Sequence, residues 1–354
     1  MLDITCSGTP YEIGFTHGSQ AKKEVHGSIA FYTTLFRSSA RLSWAEAREK
    51  ASLFAEGLQT TEPRYYEEMC GIAAGAEIPV LDVVALNVRS EITFGLFVQD
   101  AAAAPESDGC TSLSLQTATT SLIGQNWDWR QDQAPNLIVC RISQPGSGIP
   151  DFAMITEAGI IGKIGVNALG VGCCFNAIRA RGMDPTRLPI HLALRVVLES
   201  PSRLEAVARL KQRGVAASAH LLIGDETGAV GLECSHRGFQ ELHPDSLGRI
   251  CHANHYLAHH PGVEEPPWLA DSSVRTLRMR HLAGPEVIQD ATFASVRGLF
   301  VDEMNAPAAI NRQQEGGSTF ATLFNAIFDL KGRRGVIKMG RPTGDGEEVF
   351  LAFN

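Results

Sequence analysis

The chain has 354 residues, 44% of them hydrophobic and 20% charged, enough to bury a full core in one large domain or two modest ones. Its 31 basic and 39 acidic side chains leave a formal charge of −8. That surplus argues against nucleic acid or an anionic membrane as a main partner.

The opening "MLDITCSGTPYEIG" has no basic region followed by an apolar one, so no signal peptide is expected. A run of about 18 apolar residues is also missing, so no transmembrane helix is expected. The first hundred residues read as helices. One is expected over Tyr11 to Phe36, interrupted early by Gly14 and Gly18. "SWAE", Ser43 to Glu46, is a capping box that starts the next, running to about Gln59. "PRYYEEMCGIAAG" and "PVLDVVALNVRSEITF" give two more. The small-residue stretch "DAAAAPESDG" then reads as a mobile loop ending at Gly109.

From Cys110 the pattern turns to short β runs: "TSLSLQ", "SLIGQNWDW", "LIVCRIS", "DFAMITE", "IIGKIGV" and "GVGCCFN". Two helices follow, "LPIHLALRVVLES" and "SPSRLEAVARLKQR", the second capped by Ser200 or Ser202. Then come a hairpin around "DETG" and the strands "FATLFNAIFDL", "RGVIKMG" and "EVFLAF". Helices, strands, two helices and strands suggest an α+β layered fold, two stacked and mainly antiparallel sheets with helices outside.

Gly109-Cys110 lies where the loop meets the first strand. A thiol needs a base, supplied by a histidine or by the cysteine's own α-amine if the chain is cut before it. An α-amine titrates near 7.7–8.0, well placed for that task. Gly109, without a Cβ, permits close approach of the sulfur to its carbonyl. Attack there gives a thioester, and water then frees the amine of Cys110. In "GQNWDWR", Asp128 closes the strand after the one Cys110 opens, so a hairpin brings the two to one end of the sheet. Asp128 could hold the new amine, or simply pair with Arg130 or Arg141.

"DGCTSL", "GQNWDW" and "HANHY" resemble the acyl-coenzyme A:6-aminopenicillanic acid acyltransferase family of N-terminal nucleophile hydrolases. The likeness extends to the opening "GTPYEIGFTHG" and the late "INRQ" and "TLFNAIFDL". It implies a four-layer αββα sandwich and self-cleavage before Cys110. Residues 1–109 and 110–354 would then be two processed chains, self-associated in one structural domain. It implies Cys110 as nucleophile and base, Asp128 orienting the amine, Asn254 as oxyanion donor and Arg312 as an active-site cation. Gly109, Thr111, Gln125 and Ser235 would support the site or bind substrate. Bile-salt-hydrolase relatives carry arginine at the Gln125 position. Asn311 stands where serine is expected for a penicillin nucleus.

The implied reaction cleaves or forms a non-peptide amide of a small N-acyl compound through an acyl-thioester. No metal or bound cofactor is expected, an acyl-coenzyme A entering at most as co-substrate. A side-chain amide donor at an oxyanion is worth about 2.7–4 kcal/mol.

Other signals compete. "CHANHYLAHH" places His255 and His259 at helical metal-ligand spacing, the basis of an alternative metal-dependent hydrolase. No HExxH glutamate is present, and Pro261 follows. A non-cleaving binding protein of the same fold is a third reading. His17 lines a pocket from the helical part or packs structurally. The eight cysteines, none in a CxxC pair, read as reduced, mostly buried thiols of a cytoplasmic protein.

Overall fold

The computed structural model describes residues 1–95, 109–289, 291–315, 318 and 320–353. The chain starts with strand β1 (Leu2–Ser7), then helices α1 (Pro10–Gln20), α2 (Lys22–Leu35), α3 (Trp44–Thr61), α4 (Pro63–Ala76) and α5 (Val80–Asn87). Strands β2 (Thr111–Gln116), β3 (Ser121–Arg130), β4 (Leu137–Ser143), β5 (Phe152–Glu157), β6 (Ile164–Asn167) and β7 (Gly172–Ala177) follow. Helices α6 (Ile190–Leu198) and α7 (Arg203–Arg213) precede β8 (Ala219–Asp225), β9 (Gly228–Ser235), β10 (Gly238–Leu242) and β11 (Arg249–His252). Helices α8 (Asp271–Leu282), α9 (Pro285–Gln289) and α10 (Phe293–Leu299) lead to β12 (Phe320–Asp329), β13 (Arg334–Met339) and β14 (Glu348–Ala352).

The strands form two sheets. One runs β1-β4-β5-β6-β7-β8-β9-β10, with β1 parallel to β4 and the other pairs antiparallel. The other runs β11-β2-β3-β12-β13-β14 and is antiparallel throughout. β2 and β3 stack on β7 and β8; α6 and α7 cover the far face of the first sheet, and α8 and α10 that of the second. This is the expected αββα order. Among the described residues no helix is long and apolar enough to cross a membrane.

Two expectations change. Gly14 and Gly18 do not break α1; the helix ends at Ala21. They are where α1 crosses α4. A Cβ on Gly14 would lie 1.9 Å from the Glu68 carbonyl oxygen, and one on Gly18 2.2 Å from that of Ile72. Gly71 and Gly75 answer from α4, at 2.2 Å from the Tyr11 oxygen and 2.4 Å from the Phe15 oxygen. Four missing side chains let two backbones touch. The second change is α8 to α10, a helical layer where no helix is expected from the sequence. The capping box is present: Ser43 accepts from the Glu46 N–H and the Glu46 carboxylate from Ser43. Ser202 caps α7 through Glu205.

Side chains alternate across the second sheet and so sort into two cores. Cys110, Ile123, Trp127 and Trp129 belong to the large core between the sheets and the N-terminal helices. Leu113, Leu115 and Leu122 pack with Met279, Val296 and Phe300 in a smaller one beneath α8 and α10.

His17 is a buried link in this scaffold. Its Nε2 accepts the Gly159 N–H at 3.0 Å. Burial, then the Arg195 charge, push its pKa from 6.5 down to about 4. The unfolded chain therefore takes the proton first. The resulting stability, on the order of 3 kcal/mol, is complete above the unfolded pKa of about 6.5 and is lost as pH falls toward the folded one. In denaturant titrations His17→Gln, which keeps an acceptor, is expected to flatten the fall in stability between pH 6.5 and 4. An unchanged slope would contradict this.

Candidate active site

Thr111 pairs with Asn126 as β2 and β3 meet, and one further step sets Cys110 opposite Trp127. The cysteine is 1% exposed, and its Sγ lies 3.8 Å from the Asp128 carbonyl oxygen. Thus the hairpin brings residues 110 and 128 together, as the spacing predicts. The loop expected to be mobile, residues 100–108, lies outside the described residues; Gly109 is within them. Glycine at 109 has a packing reason as well. A Cβ there would meet the Arg312 guanidinium, 2.5 Å from Nη2 and 2.7 Å from Cζ. The guanidinium packs directly on the Gly109 backbone.

Arg312 is in turn held by two carboxylates. Its Nε is 3.6 Å from Asp128 Oδ2, and its Nη2 bonds Asp271 Oδ2. Asp128 is fully buried and accepts from the Thr322 hydroxyl at 2.6 Å. Asp128 thus pairs with Arg312, while Arg141 pairs with Asp3 and Arg130 with Asp132. Burial alone would raise the Asp271 pKa, but Arg275 and Arg312 outweigh it and hold the group below its usual value.

Arg275, on α8, is the residue that ties the site together, and the sequence reading omits it. Its Nη1 donates to the Cys110 carbonyl at 2.7 Å and the Thr111 hydroxyl at 3.0 Å. Nη2 donates to Asn254 Oδ1 at 2.9 Å and Nε to Asp271 at 2.7 Å. One planar fork fixes the residue after the Gly109 peptide, the first residue of β2 and the Asn254 amide together. The Asn254 orientation follows: its Nδ2 donates to the Ala177 carbonyl at 3.0 Å, and its backbone N–H to Ser272 Oγ at 2.7 Å. The second hydrogen of that NH2 group can serve an oxyanion.

Cys110, Asp128, Asn254, Arg312, Gly109 and Thr111 are thus brought together. Gln125 and Ser235 are engaged elsewhere. Gln125 bridges the sheets, its amide donating to the Phe175 carbonyl and accepting the Phe175 N–H. Ser235 accepts from the Arg237 N–H and donates to the Gly238 carbonyl, bonds internal to the β9–β10 turn.

The 251–260 histidines do not converge as ligands. His252 and His260 bond opposite oxygens of the buried Glu233, His255 turns to Ser272 and His259 is exposed. Burial raises the Glu233 pKa, but the two histidine hydrogen bonds outweigh it and keep the group well below the carboxylate range. Among the described residues no group of histidine, cysteine or acidic side chains is arranged to hold a metal ion.

The sequence profile of the acyl-coenzyme A:6-aminopenicillanic acid acyl-transferase family matches residues 115–343. Over 357 aligned residues the chain is 42% identical to the 40 kDa form of acyl-coenzyme A:6-aminopenicillanic-acid-acyltransferase of Emericella nidulans, covering 100% of this chain and 97% of that one. Among solved structures, a mutant conjugated bile acid hydrolase from Clostridium perfringens aligns with a TM-score of 0.46 at 13% identity, over 69% of this chain and 97% of that one. Penicillin V acylase from Agrobacterium tumefaciens aligns with a TM-score of 0.42 at 12% identity, over 69% and 86%. With a profile spanning more than half its length and a relative matched from end to end, the chain belongs to the acyl-coenzyme A:6-aminopenicillanic acid acyl-transferase family.

Proposed function

We propose that this protein is a self-processing cysteine acyltransferase and amidohydrolase for small N-acyl compounds. The observation that carries the reading is the environment of one peptide bond. Gly109 lies under the Arg312–Asp128 pair, and the Cys110 carbonyl is gripped by Arg275, which also orients Asn254. Held in this way, the thiolate of Cys110 attacks the Gly109 carbonyl, and the Gly109–Cys110 C–N bond breaks to leave a thioester and a free amine. Water hydrolyses the thioester. The two products, 1–109 and 110–354, remain packed as one domain.

In the processed protein the new amine of Cys110 is the base, with Asp128 beside it. The thiol gives up its proton to that amine and attacks an acyl carbonyl, with the Asn254 amide donating to the oxyanion. The amine returns the proton to the leaving group, and an acyl-thioester on Cys110 remains. Water releases the acid; an incoming amine forms a new amide. The Emericella nidulans relative, named for acyl-coenzyme A and 6-aminopenicillanic acid, supports an acyl thioester as donor and a small amine as acceptor.

The test is intact-mass spectrometry after brief exposure to acyl thioesters and N-acyl amines, stopped with acid. The expected result is one acyl group on the peptide that begins at Cys110. An adduct on any other residue, or none with the whole panel, would overturn the reading.

A further inference from the structure

Self-cleavage has a base problem. Before the chain is cut, the nitrogen of Cys110 is an amide and accepts no proton. Some other group must take the thiol proton once, and a buried cluster on the sulfur's side of the sheet supplies one.

Glu157 at the end of β5, Lys163 just before β6 and Arg89 after α5 are all buried, among aromatic rings. Lys163 Nζ bonds Glu157 Oε2 and lies 3.6 Å from the Trp127 ring centroid. Arg89 Nη2 reaches the same Glu157 oxygen at 2.8 Å, and Tyr32 of α2 donates to Oε1. Arg89 and Lys163 thus share one Glu157 oxygen inside the core. Trp127 is the residue opposite Cys110 across the hairpin, so ammonium and thiol share one inner face of the sheet.

We propose that Lys163 is the proton acceptor for Cys110 in the uncut chain. This rests on the self-cleavage described above. Neutral Lys163 takes the Sγ proton, and the thiolate adds to the Gly109 carbonyl carbon. As the C–N bond breaks, the ammonium returns that proton to the departing nitrogen. The products are the thioester, the Cys110 amine and neutral Lys163, and no further reactant is consumed until water hydrolyses the thioester. From then on the α-amine does the same work. Lys163 is a base for one turnover.

The electrostatics agree. Burial lowers the Lys163 pKa from 10.5 to about 8, with Glu157 opposing, Arg89 reinforcing and the Cys110 sulfur opposing. Burial would raise Glu157, but Arg89 and Lys163 outweigh it and hold it well below the carboxylate range. His191 of α6 is held well below its usual value by burial, Arg89 and Lys163, and its two ring nitrogens are engaged by the Gly162 carbonyl and the Ser90 hydroxyl, which leaves the role to the lysine. Cys173 of β7 donates to the Lys163 carbonyl and not to its amine.

The experiment is pulse-chase cleavage of the full-length chain made by cell-free translation, across pH 6 to 9. For the wild type, the rate is expected to rise with a limb near pH 8, as neutral lysine becomes available. Lys163→Arg keeps the charge, the Glu157 pair and the Trp127 contact but cannot yield a proton. It is expected to cleave at least about 100-fold more slowly at every pH. Glu157→Gln removes the charge that favours the ammonium and is expected to move the limb to lower pH. Wild-type rate and pH profile in Lys163→Arg, or a limb that stays or rises in Glu157→Gln, would overturn the assignment while leaving self-cleavage intact. If the wild type is never cut, self-cleavage falls and takes Lys163 with it.

Discussion

Cys110→Ala is expected to remain one uncut chain and to lose amide-forming and amide-cleaving activity. Sγ is the atom that forms every bond in the scheme, first to the Gly109 carbonyl and then to substrate. In a comparable hydrolase, loss of the nucleophile costs about 10⁶ in turnover. A loss of at least 10³-fold, to the detection limit, is the prediction here. Folding should survive, because the cysteine is small and its sulfur meets the Asp128 carbonyl oxygen only at a long 3.8 Å. Denaturing electrophoresis and thermal melting together check the prediction. Two fragments with the wild-type junction in this variant would show that another residue or another protease makes the cut.

Arg275→Lys is expected to give the second largest effect. The guanidinium makes four bonds in one plane, to the Cys110 carbonyl, Thr111, Asn254 and Asp271. A lysine keeps the charge beside Asp271 but cannot reach all of these at once. The Cys110 carbonyl and the Asn254 amide oxygen would each lose a buried charge-assisted hydrogen bond, at about 1–3 kcal/mol. Misplacement of the attacking sulfur by as little as about 1 Å costs on the order of 10² in rate. Both self-cleavage and acyl-adduct formation should therefore slow by about 100-fold or more, with a measurable drop in melting temperature. A variant that melts lower but cleaves at the wild-type rate would reduce Arg275 to a packing role.

These residues differ in how legible they were. Cys110 and Asp128 could be paired from sequence because two short alternating strands and a four-residue turn fix their register, and Thr111 indeed faces Asn126. Arg275 was hidden for a physical reason. The buried face of α8 is Ser272, Arg275, Thr276 and Met279, helical in spacing but mostly polar, so an apolar periodicity search passes over it. β1 was missed because its partner is β4, more than a hundred residues away, through a parallel pairing that no hairpin signal announces. Gly14 and Gly18 were misread as interruptions because a glycine that breaks a helix and one that admits a neighbouring backbone look alike in one sequence. Lys163 falls in the run "IIGKIGV", of which only the residues from Ile164 form strand; it precedes that strand, buried against Trp127 and Glu157.

The most direct measurement is the intact mass and N-terminal sequence of the purified wild-type protein after prolonged incubation. The account predicts two copurifying fragments, residues 1–109 and 110–354, the second beginning with a free Cys110 amine. A persistent full-length mass, or a junction anywhere other than Gly109-Cys110, would contradict it.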